Sequence, residues 1–112
     1  MTKLEILVKG EEWTIYYEAT QKAFKSKFKD SGEAAAITNI VTRYIYFQPG
    51  YTDLPTIIHE LVHAYYSTLC LHSASIEADQ MEEIFCEMFA HNGKEILKQA
   101  YTVQKFLREV AK

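Results

Sequence analysis

Between Leu54 and Leu69 the apolar residues fall at positions 54, 57, 58, 61, 62, 65 and 69. That is the period of an amphipathic helix laid against a core, and it is the tightest constraint the chain places on its own fold. Thr52 or Asp53 can cap such a helix, and Pro55 sits in its first turn, where its missing N–H is not needed. At about 100° per residue, His59 and His63 project from one side, roughly opposite the centre of the apolar stripe. The helix is therefore expected to carry a core face and a separate polar face.

The segments before it predict a small sheet. Leu4, Ile6 and Val8 alternate with Glu5, Leu7 and Lys9; after Gly10, Trp13, Ile15 and Tyr17 alternate with Thr14 and Tyr16. Period-two spacing on both sides of a glycine-containing turn reads as a β-hairpin. From about Glu18, Ala19, Ala23, Phe24 and Phe28 suggest an amphipathic helix that ends at Asp30-Ser31-Gly32. Residues 34–48 are rich in β-branched and aromatic side chains and predict one or two further strands, with Thr38-Asn39 as a turn and Tyr44–Phe47 as a strand.

Beyond Leu69, a loop over 70–75 with serine caps should lead into a second helix from near Ile76 to His91. Glu77 and Asp79 favour its first turn, and Asn92-Gly93 offers a stop. A last amphipathic helix is expected from Lys94 to Val110, with Ile96, Leu97, Val103, Leu107 and Val110 as its apolar positions. The expected fold class is thus α+β: a mostly antiparallel sheet of three or four strands packed on the 54–69 helix, a second helix and a C-terminal helix. At 112 residues this makes a single domain over 1–112.

Composition narrows the function classes. The net charge of −3 and the dispersed basic residues argue against nucleic acid as a partner. The densest basic stretch, Lys22, Lys25, Lys27 and Lys29, reads as a solvated helix face. No apolar run approaches the roughly 18 residues of a membrane span, and MTKLEILVKGEEW lacks the apolar core of a secretory signal. A cytoplasmic protein with reduced thiols is expected. Cys70 and Cys86 form no C-x-x-C pair, which makes them poor zinc-ligand candidates, and a disulfide between them is not expected.

The polar face of the 54–69 helix carries the chemistry. His59-Glu60-Leu61-Val62-His63 places two imidazoles one turn apart, where both reach one metal ion, with Glu60 about 100° round the helix as a base rather than a ligand. Catalytic zinc takes three protein ligands and leaves a fourth position to water. Glu83, on the polar side of the next helix, is the expected third ligand, and Glu87 one turn on is placed to accept a hydrogen bond from His59 or His63. The competing reading of Glu83 is a solvated carboxylate in the acidic cluster of Glu77, Asp79, Glu82 and Glu83. His72, His91, Tyr51, Tyr65, Tyr66 and Tyr101 are weaker candidates for stabilising an oxyanion.

HELVH followed by EIFCE (Glu83 to Glu87) resembles the gluzincin class of zinc peptidases, in which HExxH precedes a helix bearing a third ligand. In size and layout the chain is similar to small phage- and mobile-element metallopeptidases of the ImmA/IrrE type, although it lacks their E-A-N-x-F-A wording. The resemblance covers about residues 40–92. It implies a zincin-like fold, one Zn2+ ion, a peptide or protein substrate, and hydrolysis by metal-activated water with Glu60 as general base. It also implies an exposed sheet edge that aligns substrate, for which Tyr44–Gln48 is the expected segment. Two other classes compete: a zinc-binding regulatory module of the same fold without turnover, and a metal-free helical interaction domain in which the motif is a coincidence.

Overall fold

Strands β1 (Thr2–Val8) and β2 (Glu11–Tyr17) form an antiparallel hairpin closed by Lys9-Gly10. Both turn residues have positive φ, 51° and 84°. This is the primed turn geometry that matches the twist of paired strands, and Gly10 adopts it without a Cβ penalty. The computed structural model describes residues 2–18, 20–28, 35–69 and 78–111.

Helix α1 (Gln21–Lys27) follows, then β3 (Ala36–Asn39), β4 (Tyr44–Phe47), α2 (Leu54–Thr68) and α3 (Ala78–Val110). The four strands make one mixed sheet in the order β1-β2-β4-β3, with β2 and β4 parallel and the other two pairings antiparallel. The α+β architecture with a small sheet and helices is as expected. Among the described residues no helix is long and apolar enough to cross a membrane.

The strand register sorts the side chains into two faces. Ile6 pairs with Trp13, Ile15 with Ile45, and Phe47 with both Tyr17 and Ala36, so all seven share one face. All are buried in the core with Ile57, Leu61, Ala64 and Tyr65 of α2 and with Ile96, Ala100, Val103 and Leu107 of α3. The opposite face carries Tyr16, Tyr44 and Tyr46, with Tyr16 stacked on Tyr46 at 4.5 Å. Phe28, at the end of α1, meets Tyr46 edge-on at 5.0 Å, and Lys27 lies over the same ring at 4.6 Å. The sheet is thus sandwiched between α1 on one side and α2 and α3 on the other.

Three boundaries and the place of one strand in the sheet differ from what the sequence predicts, each for a physical reason. Glu18 is not helical: its N–H donates to the Phe47 carbonyl and extends the β2–β4 ladder, so α1 starts after the Thr20 cap. The expected stop at Asp30-Ser31-Gly32 lies outside the described residues. Thr38-Asn39 belongs to β3, and the turn is at 40–43, where the Asn39 side-chain oxygen accepts from the N–H groups of Val41 and Thr42 and Arg43 takes a φ of 59°. Asn92-Gly93 does not stop a helix. Met88, Asn92, Ile96 and Ala100 form an unbroken buried row, and Asn92 satisfies its amide on the Met88 carbonyl, so α3 runs through as 33 residues. Finally β4 lies inside the sheet, so Tyr44–Gln48 is not an edge; the outer strands are β1 and β3. Gln99 of α3 donates to the Leu7 carbonyl of β1 at 2.7 Å.

Helix α2 starts as its sequence dictates. Asp53 caps it, accepting from the Thr56 N–H at 3.1 Å and the Thr56 hydroxyl at 2.8 Å, with Pro55 in the first turn. The Thr56 hydroxyl, then its N–H, hold the Asp53 carboxyl below its ordinary value of 3.8. A carboxylate favoured by folding stabilises above the unfolded value, and that contribution is lost as pH falls through the lower folded value. Asp53→Ala is expected to cost about 1 kcal/mol at neutral pH in urea denaturation. The difference from the parent should shrink as the buffer is acidified below the ordinary carboxylate value.

Candidate metal centre

His59 and His63 stand one turn apart on the exposed side of α2, with ring planes at 77° and centroids 4.9 Å apart. Their Nε2 atoms are 3.3 Å apart. Two nitrogens each ~2.0–2.1 Å from a tetrahedral zinc ion stand about 3.3 Å apart. The pair therefore already holds the spacing of two ligands on one ion. Two neutral imidazoles are also the donor set that suits zinc.

Glu60 completes the cluster, with ligand atoms of the three residues all within 4.8 Å of one another. Unlike the histidines it is buried, only 7% exposed. Strand β3 causes this. Thr38 lies on the core side of β3, in register with Ile45, and its hydroxyl donates to Glu60 Oε2 at 2.8 Å. The carboxylate is thus fixed between α2 and the outer strand, with an imidazole pair on its open side. Thr38 falls in the expected Thr38-Asn39 turn, so the sequence pattern does not mark it as a site residue. Its signal was the alternation of Ala36 and Thr38, which puts a hydroxyl on the same sheet face as Ala36.

Helix α3 borders the cluster through Phe85, which stacks on Tyr66 at 5.5 Å. With Val62 and His63 they line a cavity of about 200 Å³. Glu83 is not gathered with the histidines. It lies about 160° from Phe85 around α3, exposed, on a second cavity of about 390 Å³ shared with Leu69, Glu87, Met88 and His91. Glu87 is paired with His91 Nε2 at 3.2 Å, not with His59 or His63.

The tyrosines separate in the same way. Tyr65 is fully buried and donates to Glu95 Oε1 at 2.7 Å. Burial, reinforced by the Glu95 carboxylate, pushes its hydroxyl well above the ordinary value of 10.0. It is a core residue. Tyr101 sits further along α3 beside Gln104 and Lys105, whereas Tyr66 lies next to His63. Cys86 is an exposed free thiol. Cys70, His72, the serine caps and Glu77 lie outside the described residues.

Family models, curated proteins and solved structures were all compared with the chain, and none matches. The gluzincin resemblance accordingly rests on the residues themselves.

Proposed function

We propose that the chain is a zinc-dependent peptidase in which His59 and His63 hold the ion and Glu60 is the general base. The observation that carries this reading is the 3.3 Å Nε2 pair beside a buried carboxylate. A zinc ion there would supply Lewis acidity, lowering the pKa of water toward about 7 and polarising a carbonyl. Glu60 takes the proton of the attacking water and returns it to the departing amine as the C–N bond breaks. Thr38 holds Glu60 in one orientation throughout. An extended peptide fits as an added strand along β3, the outer strand that carries Thr38, with main-chain hydrogen bonds setting its register.

The test is cleavage of an unstructured peptide by the zinc-loaded protein, with His63→Ala as control. Turnover that disappears with the imidazole supports the proposal; turnover that survives His63→Ala rejects it.

A second reading, a zinc-binding module without turnover, is favoured by the position of Glu83 outside the cluster. Peptide turnover by the zinc-loaded protein separates the two, and the zinc affinity of Glu83→Gln tests the ligand set. A fall of about tenfold or more assigns Glu83 as the third ligand, reached by a turn of the first part of α3. Unchanged affinity removes it from the ligand set.

A further inference from the structure

His63 belongs to two features at once. Its imidazole is half of the candidate ligand pair, and with Val62, Tyr66 and Phe85 it lines the cavity of about 200 Å³. At about 100° per residue, Glu60 lies about 80° to one side of the midpoint between His59 and His63, and Val62 about 80° to the other. The base and the cavity therefore flank the imidazole pair on opposite sides of α2.

The walls of this cavity are apolar and held in place. Val62, Tyr66 and Phe85 all pack against the core, yet none is fully buried, so each keeps surface open to the cavity. Tyr66 comes from α2 and Phe85 from α3, and their rings stack at 5.5 Å, 21° from parallel. Two rings held in this way leave edges and faces against which a third ring can pack. A cavity of about 150 Å³ with comparable lining binds benzene, so there is room here for a benzyl or an isobutyl group. Among the described residues no carboxylate or ammonium lines the cavity. A charged side chain placed in it would lose its water without gaining an opposite charge.

We propose that this cavity selects the peptide cut at the metal centre by admitting phenylalanine or leucine directly beside the scissile bond. The proposal rests on the peptidase reading above. Because His63 is common to the cavity and the ligand pair, a side chain seated against Tyr66 and Phe85 holds its adjoining carbonyl beside the imidazole nitrogens. Glu60, on the far flank, stays clear of that side chain. Burial of the apolar group thus positions the reacting carbonyl, which is how binding away from the bond being broken serves the reaction.

Calorimetric titration of the zinc-loaded full chain with phenylalanine hydroxamate and alanine hydroxamate tests this without requiring turnover. The hydroxamate group chelates the ion in both, and only the side chain differs. The benzyl compound is expected to bind about 10–100-fold more tightly, the worth of burying an apolar group of that size. Val62→Phe, which fills the cavity, and Phe85→Ala, which removes one wall, should each abolish most of that preference in protein whose zinc content and circular dichroism match the parent. Equal affinity of the parent for the two hydroxamates overturns the pocket while leaving the metal centre standing. So does a preference that neither substitution reduces. A parent that takes up no zinc, or whose zinc binds neither hydroxamate, overturns the peptidase reading and the pocket with it.

Discussion

Glu60→Gln is expected to lower kcat by about 10²–10⁴-fold, the usual contribution of a positioned general base, while zinc content stays at the parent value. Gln has the same shape and keeps a carbonyl oxygen that can accept from the Thr38 hydroxyl, so the hydrogen bond at 2.8 Å survives. What is lost is the ability to take a proton. Because Glu60 is buried against β3 while the histidines are exposed, the substitution leaves the imidazole pair undisturbed. Peptide cleavage by the zinc-loaded variant at the parent rate would rule out Glu60 as the base.

The largest effect on stability is expected at Trp13. It is fully buried where β2 meets the C-terminal end of α2, and its indole N–H donates to the Thr68 hydroxyl at 3.2 Å. Trp13→Ala removes that bond and opens a cavity, at about 3–5 kcal/mol. Domains of this kind have about 5–15 kcal/mol in total, so the variant should be close to unfolding at 37 °C. Trp13→Phe keeps most of the apolar contact and loses chiefly the hydrogen bond, which predicts a much smaller loss. Trp13 is the single tryptophan, so urea denaturation must be followed by circular dichroism. If Trp13→Ala unfolded at the parent midpoint, the packing of α2 on the hairpin would be wrongly described.

Where one periodicity decided the structure, it was legible from the residues. Ile6, Val8, Trp13, Ile15 and Tyr17 alternate and are buried in that alternation, and α2 begins at its cap and proline as written. Failures came where long-range pairing or packing outweighed a local signal. Asn92-Gly93 looks like a stop, but Asn92 occupies a core position in a row that continues in phase to Leu107. Glu18 looks helical, but the β2–β4 ladder holds its N–H. That β4 is internal follows from its parallel pairing with β2 across a crossover, which spacing alone does not reveal. In the candidate site, His59, Glu60 and His63 are readable because one helix supplies all three. Thr38 is not, because its contact spans 22 positions. The wheel of α3 could identify a polar face for Glu83, but only the packing of Phe85 on Tyr66 shows which flank of α3 borders His63.

The central claim is that His59 and His63 hold one metal ion, and its most direct test is the zinc content of untagged protein after zinc loading and removal of free metal. One zinc per chain in the parent, and essentially none in His63→Ala with its fold intact, is the predicted result. No stoichiometric zinc in the parent, or equal zinc in both proteins, would contradict it.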